Sequence, residues 1–307
     1  MIEAVVFFTT MVLSAASVGL GIKLSHNWGL LDAPDGIRKT QAIAIPKTGG
    51  VAAILAFAVV LIVASTIALN PNQTALLLLV LIPTLGAAGL GVVDDFRPLS
   101  PRIRLIVQIL LSAFVWQFGT QINAPSEFLS FVLTVLWLTA VINAMNMLDN
   151  TDGLAGLIIF ISSLAFAFLS LYVGQTLVAS LAFAVSGAIG GFLVFNWWPA
   201  SIYLGDGGAY FFGMLLAILS IRFSPVNLDQ TSSLIAVCLL LGVPMMDLVF
   251  VIFSRLRRGI HPFTAGKDHL SHRLQDKGLT VVQSVFTLAI VHILLVVSGS
   301  LIVLFVS

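Results

Sequence analysis

Long apolar stretches, separated by short polar segments, run along almost the whole chain. A helix needs about 20 mostly apolar residues to cross the hydrocarbon core of a membrane. Runs such as TALLLLVLIP and VAAILAFAVVLIVAS do not alternate between apolar and polar positions, which excludes the strand pattern of a membrane β-barrel. The pattern therefore predicts ten transmembrane helices, at 2–22, 48–69, 74–93, 103–119, 127–147, 153–172, 176–195, 208–223, 231–253 and 280–304.

The composition agrees with a chain embedded in a lipid bilayer. Of 307 residues, 59% are hydrophobic and only 9% are charged, and the mean hydropathy is +1.10. A soluble domain carries about 25% charged residues, so a soluble globular protein is excluded. The net charge of +1 indicates no nucleic-acid partner, and the single Cys238 excludes a disulfide framework. We expect one all-α integral membrane domain over 1–307, without an internal repeat. Its first helix lacks a basic leader and is interpreted as retained.

The charged residues fall almost entirely on one side of this arrangement. Ten helices assign the odd-numbered loops to one side, and the even-numbered loops with both termini to the other. Of the 14 lysine and arginine residues, only Arg222 lies on the second side. Because basic loops stay in the cytosol, we predict cytosolic odd loops and both termini outside. Most aspartates lie in or beside the odd loops, so we expect the chemistry at the cytosolic face.

Two adjacent aspartates end the third predicted helix, in the segment GVVDDFRPLSPRIRLIVQ. Asp94 and Asp95 would face the negative end of the helix dipole, where cations are favoured. The simpler interpretation is a solvated helix end whose acids pair with Arg97, Arg102 or Arg104. The functional alternative is that a divalent cation or a substrate proton offsets the two charges.

Polar residues recur every three positions where the fifth predicted helix ends, in NAMNMLDNTDGLAG. One polar group falls on each helical turn, at Asn143, Asn146, Asp149 and Asp152. Polar groups at membrane depth are costly unless they face a protein interior or a wet cavity. The turn and cap that open the sixth helix would explain Asp152 but not the two asparagines, so this stripe favours a functional site.

Asp206 lies among glycines just before the eighth predicted helix, in YLGDGGAYFFG. Aspartate is favoured at a helix N-cap, which is the structural interpretation. In the functional interpretation, Gly205, Gly207 and Gly208 let a ligand approach the backbone, and the helix N-terminus favours phosphate. Both can hold together, because Asp206 could bind a metal whose other ligands are phosphate oxygens, as is common for Mg²⁺.

The ninth loop, SRLRRGIHPFTAGKDHLSHRLQDKG, carries most of the remaining chemistry. Its arginines at 255–258 are interpreted as anchors at the cytosolic face. Three of the chain's five histidines lie in it, at His261, His269 and His272, whereas His26 and His292 are interpreted as structural. No cysteine or Glu-x-x-His pattern completes a transition-metal site. Histidines beside Lys267 and Arg273 better suit phosphate or sugar hydroxyls.

Taken in order, five segments resemble the motifs of the polyprenyl-phosphate N-acetylhexosamine-1-phosphate transferases, a glycosyltransferase family 4-like group that includes the phospho-N-acetylmuramoyl-pentapeptide transferases. The opening pattern D-x-P-x-x-R-K-x-H-x-x-x-I-P-x-x-G-G is matched, with one additional residue between Pro34 and Arg38, by Asp32, Pro34, Arg38, Lys39, Ile45, Pro46, Gly49 and Gly50, with Gln41 where the family often has His. The aspartate-pair motif is matched by Asp94, Asp95, Leu99, Arg102, Arg104, Leu105 and Gln108.

The other three motifs follow along the chain. N-A-x-N-x-x-D-G-x-D-G-L-A is matched by Asn143, Asn146, Asp149, Asp152, Gly153, Leu154 and Ala155, with Asn150 for the usual Gly. G-D-x-G-S is matched by Gly205, Asp206 and Gly208, with Ala209 for Ser. H-L-H-H-R-L is matched by His269, His272 and Arg273, with Ser271 for the middle His.

The resemblance implies a reaction and a set of site residues. A UDP-N-acetylhexosamine would give its sugar 1-phosphate to polyprenyl (undecaprenyl) phosphate, forming a polyprenyl-diphosphate sugar and UMP, with Mg²⁺ or Mn²⁺. This would be the first membrane step in the synthesis of a cell-envelope glycan, catalysed in the cell membrane by a site that faces the cytoplasm. Which hexosamine is used, and whether the protein forms a homodimer, do not follow from the resemblance. The implied residues are Asp94, Asp95, Asp149 and Asp152 for catalysis, Asp206 for the metal, and Lys39, Arg102, Asn143, Asn146, His269, His272 and Arg273 for the substrates.

A membrane transporter of a phosphorylated solute is the main alternative from another class. Transporters place their site near the midplane on broken helices, usually with repeats, and here only Asp247 lies that deep. We interpret Asp247 as a buried packing or hydrogen-bonding residue. An aromatic prenyltransferase would carry two D-D-x-x-D-like motifs, and DDFRP lacks the distal acid. Within the transferase reaction, direct attack by the lipid phosphate is favoured over a covalent aspartyl intermediate.

Overall fold

A computed structural model describes residues 2–32, 44–68, 70–223, 225, 228–261, 264 and 266–305. Pro34, Arg38, Lys39 and Gln41 lie outside the described residues, so the predicted substrate role of Lys39 stays a prediction. The helices are α1 (Ile2–Trp28), α2 (Gly49–Ala68), α3 (Pro71–Phe96), α4 (Pro101–Gln117), α5 (Glu127–Leu148), α6 (Leu154–Tyr172), α7 (Thr176–Asn196), α8 (Gly205–Arg222), α9 (Gln230–Leu240), α10 (Gly242–Arg257), α11 (Leu270–Asp276) and α12 (Val281–Phe305). Two short strands, β1 (Leu31–Asp32) and β2 (Ile45–Pro46), pair antiparallel.

The described helices make the chain an all-α integral membrane protein, as predicted. Seven of them are long and apolar enough to cross a membrane, and α9 with α10 would make an eighth as one bent pair. The other two predicted spans overlap α4, which has 17 residues, and α8, which carries Asp206 and Arg222. The count of ten, the side of the termini and the side of each loop stay predictions.

The ninth predicted helix, 231–253, is not one straight helix. Its two halves, α9 and α10, meet at an angle of 81°. Pro244 has no N–H to donate to the carbonyl of Leu240, four residues earlier, which favours a break at this point. The Ser162 hydroxyl donates to that carbonyl instead, at 2.8 Å. The single hydroxyl proton of Ser162 is used in this bond, so His292 Nε2, at 2.9 Å, must donate to the Ser162 oxygen. This contact agrees with a structural role for His292.

Helix α8 forms the centre of the fold. Every residue from Gly207 to Ser220 is buried, and α8 contacts α2, α3, α5, α6 and α7. A helix that is apolar on all sides is typical of such a central position. Its neighbours bury one face and expose large apolar side chains on the other, which suits contact with lipid. The first turn of α8 is therefore surrounded by other helix ends.

Glycines let the backbones of α2, α3 and α8 come into contact at this turn. A Cβ on Gly50 would lie 2.4 Å from the Cα of Gly208, and one on Gly91 would lie 2.2 Å from the carbonyl oxygen of Asp206. Neither distance is sterically allowed, because carbon–carbon contacts are optimal at about 3.5–4.0 Å. Main-chain bonds add to the contact, since the N–H of Gly50 donates to the Leu204 carbonyl at 2.9 Å.

Candidate active site

The predicted acids come from three separate parts of the chain and meet around the first turn of α8. Asp94 and Asp95 lie in the last turn of α3, and Asp149 is the residue that caps the end of α5. Asp206 lies in the first turn of α8 itself. The side chain of Asp149 interacts electrostatically with Asp95 and Asp206, so the three segments form one cluster.

Carboxylates from other helices cap the N-terminus of α8. The N–H of Gly207 donates to Asp95 Oδ2 at 3.2 Å, and the N–H of Asp206 also donates to the Asp95 carboxylate. The N–H of Gly205 donates to the Asp149 carboxylate. The first N–H groups of a helix have no partner within the helix, so these bonds satisfy them. The N-cap interpretation of Asp206 was wrong: Leu204 is the N-cap residue and offers no side-chain bond.

Because other residues cap the helix, the Asp206 carboxylate is available for other contacts. Asn146 Nδ2, in the last turn of α5, donates to Asp206 Oδ1 at 2.6 Å. The Asp206 side chain also lies within hydrogen-bonding reach of Asp94. The structure thus brings Asn146 and Asp206, predicted from separate motifs, into direct contact.

Asp94 is held more firmly than its neighbour Asp95. The N–H of Leu99 donates to Asp94 Oδ1 at 2.7 Å, and Arg104 Nη1 donates to Oδ2 at 2.7 Å. The Asp94 side chain is 5% exposed, so the carboxylate of this ion pair is shielded from water, whereas Arg104 is 29% exposed. The predicted pairing with an arginine is confirmed for Asp94, whereas the predicted solvation is wrong for it, because Asp94 is buried. Arg102, a predicted substrate residue, is exposed in the first turn of α4.

The cluster concentrates negative charge away from water. Burial is the main cause that raises the pKa of Asp149 to about 8, and the neighbouring charges of Asp206, Asp95 and Asp152 contribute to the same shift. Burial also raises the pKa of Asp152. At neutral pH the cluster would therefore bind protons or a cation. Both responses relieve the same repulsion.

The donor set suits a hard divalent cation. Carboxylate oxygens are the protein ligands that Mg²⁺ prefers, and Mg²⁺ usually takes its remaining ligands from phosphates and water. Within the described residues, no group of three or more acidic, histidine or cysteine side chains is arranged as a metal site by itself. The buried, mutually repelling carboxylates around Asp149 nevertheless fit an ion that would be completed by substrate oxygens.

Asp152 positions the loop that leads into α8. Its Oδ2 accepts from the N–H of Ala200 at 2.8 Å. The adjacent Gly153 has a φ of +76°, which favours glycine, and its N–H donates to Asn196 Oδ1 at 3.0 Å. Asn196 Nδ2 in turn donates to the carbonyl of Ile202 at 2.8 Å. Sequence reasoning missed Asn196, whose only signal is a polar residue at the end of an apolar helix.

The polar residues of α5 do not form one stripe toward one ligand. Asn143 Nδ2 donates to Gln108 Oε1 at 2.6 Å and to the carbonyl of Thr139 at 2.8 Å. Gln108 is fully buried on α4, so Asn143 joins α5 to α4, whereas Asn146 joins α5 to α8. Residues three apart on a helix of 3.6 residues per turn drift around its axis, which explains the divergence.

The glycines around Asp206 serve packing rather than ligand access. A Cβ on Gly207 would lie 2.7 Å from the Val92 side chain, and one on Gly208 would lie 2.7 Å from the Cα of Gly50. Gly205 has a φ of +72°, and its Cβ would lie 2.5 Å from the carbonyl oxygen of Lys47. The prediction that these glycines let a ligand approach the backbone was therefore wrong for Gly207 and Gly208, which face neighbouring helices.

Residues 268–276, which carry His269 and His272 and are called the histidine segment below, are hydrogen-bonded to α10. His269 Nδ1 lies 2.8 Å from Asp247 Oδ2, and the N–H of Leu270 donates to Asp247 Oδ1 at 2.7 Å. Asp247 is 1% exposed, which confirms it as a buried hydrogen-bonding residue. His272 lies one turn further, with its ring centroid 6.1 Å from that of His269. Burial lowers the pKa of His272, and the nearby His269 and Lys267 lower it further.

The arginines of the ninth loop do more than anchor the chain at the membrane. Arg255 binds Asp268 through Nε at 3.0 Å and Nη2 at 2.7 Å, and Arg258 Nη2 binds it at 2.6 Å. The hydrogen bonds from Arg255 lower the pKa of Asp268 to about 2. Arg273 Nη2 donates to Ser254 Oγ at 2.9 Å, and its guanidinium lies over the Phe250 ring. These contacts position the segment that carries the histidines.

One hydrogen bond joins the histidine segment to the acid cluster. The Ser271 hydroxyl donates to Asn150 Oδ1 at 2.6 Å, and Asn150 directly follows Asp149. Leu270 and Leu274 of α11 also pack against a buried cluster that contains Leu148 and Leu154. The histidine segment therefore lies against the loop that carries Asp149 and Asp152.

Comparison with known proteins identifies relatives along nearly the whole chain. The sequence profile of glycosyl transferase family 4 matches residues 76–224, a range that contains every acid of the cluster. A probable undecaprenyl-phosphate N-acetylglucosaminyl 1-phosphate transferase of Bacillus subtilis is 29% identical over 313 residues, covering 97% of this chain and 85% of that protein.

Two further relatives carry a closely similar name. The undecaprenyl-phosphate alpha-N-acetylglucosaminyl 1-phosphate transferase of Thermotoga maritima is 31% identical over 280 residues, covering 90% of this chain and 80% of that protein. The protein of the same name from Escherichia coli is 26% identical over 318 residues, covering 97% of this chain and 82% of that protein. These alignments include the histidine segment, which lies beyond the profile match.

Proposed function

This chain belongs to the polyprenyl-phosphate N-acetylhexosamine-1-phosphate transferases of glycosyl transferase family 4, and on that basis we propose the reaction that it catalyses. It is an enzyme, a phosphotransferase of the membrane. The proposed reaction transfers N-acetylglucosamine 1-phosphate from UDP-N-acetylglucosamine to undecaprenyl phosphate, with release of UMP. The lipid acceptor and the sugar phosphate are those in the relatives' names, whereas the UDP donor comes from the motif resemblance.

The observation that carries the proposal is the meeting of acids from three helix ends at the first turn of α8. Phosphate transfer between two anionic substrates requires oriented acids, positive charge and a site that excludes water. Asp95, Asp149 and Asp206 supply the acids, and the histidine segment is bonded to the same loop through Ser271. The predicted topology places this cluster at the cytoplasmic face of the cell membrane. This side suits the donor, because nucleotide sugars are cytosolic.

Asp206 is the side chain that we expect to hold a divalent cation, Mg²⁺ or Mn²⁺. Asn146 donates to Asp206 Oδ1 at 2.6 Å and thereby orients the carboxylate. When bound, the cation would neutralise the diphosphate and the charge that develops on the leaving UMP. Asp149 lies beside Asp206, and a bound cation would favour the ionised form of Asp149.

Asp95 is the acid that we assign to the acceptor, because Asp94 is already paired with Arg104. In this assignment Asp95 takes any remaining proton from the lipid phosphate, whose oxygen then attacks the β-phosphate of the donor. A phosphate with a second pKa of about 6 is largely dianionic at neutral pH, so orientation contributes more than proton removal. Asp94 acts as a positioning residue through Arg104 and the Leu99 N–H.

The test is release of UMP by the purified protein in lipid nanodiscs. The reaction would contain undecaprenyl phosphate, Mg²⁺ and, in turn, UDP-N-acetylglucosamine, UDP-N-acetylgalactosamine and UDP-N-acetylmuramoyl-pentapeptide. We expect UMP and a lipid-linked product with the first donor, and neither product without the lipid. Release with the pentapeptide donor alone would reassign the sugar, and labelled nucleotide sugar accumulating in vesicles without lipid product would favour a transporter.

A further inference from the structure

Two positions at which this sequence departs from the family motifs contact each other. Asn150 stands where the fifth-helix motif usually has glycine, and Ser271 stands where the ninth-loop motif has its middle histidine. They are 121 residues apart in sequence, yet the Ser271 hydroxyl donates to Asn150 Oδ1 at 2.6 Å. Ser271 is 1% exposed. A buried hydroxyl is costly to leave without its partner, so this bond constrains both segments.

The direction of the bond follows from the other contacts of Asn150. Its Nδ2 donates to the carbonyl of Met147 at 2.7 Å, and its Oδ1 accepts from Thr151 Oγ1 at 2.8 Å. A carbonyl can only accept, so the amide nitrogen must face Met147 and the amide oxygen must face Ser271. Met147 lies in the last turn of α5. Asn150 therefore holds the helix end that carries Asp149 in place while it receives the bond from Ser271.

The other side of the contact is equally constrained. Ser271 lies between His269 and His272, and His269 is bonded to Asp247 of α10 at 2.8 Å. The histidine segment thus has several polar attachments to α10, through Asp247, Ser254 and Arg255, and one to the acid loop, through Asn150. The attachment through Asn150 is the hydrogen bond that joins this segment directly to the loop of Asp149.

We propose that Asn150 and Ser271 form a positioning pair that sets the placement of His269 and His272 relative to Asp149 and Asp152 for binding of the donor. The identity of the donor rests on the proposed function. Neither member of the pair touches reacting atoms; each acts through the site residue next to it. Losing the bond leaves the chemistry intact but loosens the donor's binding surface, so the expected effect is on KM more than on kcat.

The kinetic test is a double-mutant cycle of Asn150→Gly and Ser271→Ala. Each single variant should raise KM for the nucleotide sugar about tenfold while kcat stays within about threefold. The double variant should be no worse than either single variant, because both remove the same bond. Ser130→Ala is the matched control: Ser130 is a buried serine that accepts from Trp116 Nε1 at 3.1 Å at the other end of α5. Unchanged KM in the single variants, or additive losses in the double, would overturn the proposal.

Exchange of the pair for the family residues tests the coupling in the other direction. Ser271→His alone places an imidazole against the Asn150 side chain in a space that holds a serine. Adding Asn150→Gly removes the amide and makes room. The double variant should recover KM to within about threefold of the unmodified chain, and Ser271→His alone should not. Equal behaviour of the single and double variants would show that the two positions are independent.

Hydrogen–deuterium exchange tests the positioning without any donor. Amides of residues 268–276 should exchange at least about tenfold faster in Ser271→Ala and in Asn150→Gly, and at the original rate in Ser130→Ala. If the unmodified chain released no UMP from any donor, the proposed function would fail, but the exchange rates would still decide whether the pair positions α11. Unchanged exchange in both variants would refute the pair itself.

Discussion

Two helix N-termini in this protein each carry an aspartate, and they use it in opposite ways. At α9, Asp229 is the N-cap: its Oδ1 accepts from the N–H groups of Thr231 and Ser232 at 2.8 and 3.0 Å. At α8, Asp95 and Asp149 from other helices accept from the first N–H groups, and Asp206 accepts from Asn146. The α9 cap is local and exposed, whereas the α8 cap is supplied by the ends of two other helices, α3 and α5.

The two N-termini differ in how the charge of their carboxylates is satisfied. Hydrogen bonds from Ser232 lower the pKa of Asp229, because each favours the ionised form. Burial and neighbouring acids instead raise the pKa of Asp149 to about 8. A carboxylate that caps its own helix has its charge satisfied locally. Acids that converge from several helices repel one another, and a bound cation, alone or together with an anionic substrate, would relieve this repulsion.

The largest expected contrast is in sidedness, because the predicted topology places these two N-termini on opposite faces of the membrane. Ser201 precedes α8 and Thr231 lies in the first turn of α9, and both are exposed. In a Cys238→Ser background, we expect an impermeant thiol reagent applied to intact cells to label Thr231→Cys and not Ser201→Cys. Labelling of both positions, or of Ser201→Cys alone, would contradict the predicted sidedness.

Asparagine substitutions at the two helix starts should separate chemistry from capping. Asp206→Asn removes the charge that we assign to the cation and should lower kcat/KM by at least about 10³-fold, or about 4 kcal/mol of transition-state stabilisation. Asp229→Asn keeps a favoured N-cap residue and should leave kcat/KM unchanged. The measurement is UMP release over a range of Mg²⁺ concentrations. Normal turnover of Asp206→Asn at low Mg²⁺ would falsify the metal assignment.

Asp95→Asn should preserve the shared cap while removing its charge. The asparagine oxygen can still accept from the Gly207 N–H, so we expect a folded protein with kcat about 10²-fold lower.

Pre-steady-state UMP release without undecaprenyl phosphate distinguishes direct attack by the lipid phosphate from a covalent aspartyl intermediate. Direct attack predicts no burst, whereas a covalent intermediate predicts a burst equal to the enzyme present. A stoichiometric burst that disappears in Asp95→Asn would replace direct attack by the covalent route.

The histidine segment should contribute less than the acids, because it is assigned to binding. His272→Ala should lower kcat/KM at least about tenfold, which corresponds to about 1.4 kcal/mol. His26→Ala, at a histidine outside the described cluster, is the control and should behave as the unmodified enzyme. An unchanged kcat/KM in His272→Ala would return this residue to a structural role.

A separate prediction concerns stability as a function of pH rather than catalysis. The pKa of Asp149 rises from 3.8 to about 8 on folding, so the folded state binds a proton that the unfolded state has lost. This contribution therefore makes the protein less stable as pH rises from about 4 to about 8. We expect a lower Tm in EDTA at pH 8 than at pH 6, and a smaller difference in Asp149→Asn. An identical pH dependence in that variant would contradict the predicted shift.

The sequence alone determined what depends on neighbours along the chain. Hydropathy over about 20 residues located the seven described helices that are long and apolar enough to cross a membrane, because each helix satisfies its own backbone in lipid. The order of motifs identified the family and the acids at positions 94, 95, 149, 152 and 206. The sequence also contains Pro244 within the ninth predicted helix, but it does not show that the chain bends by 81° near this residue. A break in one helix depends on whether another helix can satisfy the freed carbonyl, as Ser162 does for Leu240.

Only the tertiary structure decided which groups meet. Three arginines follow Asp94, and helix packing selected Arg104 as its partner. The caps of α8 come from α3 and α5, and the partner of His269 is an aspartate 22 residues earlier on another helix. The contact of Asn150 with Ser271 spans 121 residues. Hydropathy and motif spacing describe one segment at a time, whereas these contacts join separate segments and depend on how the helices pack. The close packing of α2, α3 and α8 at glycine positions is one example, because it places the end of α3 beside the first turn of α8.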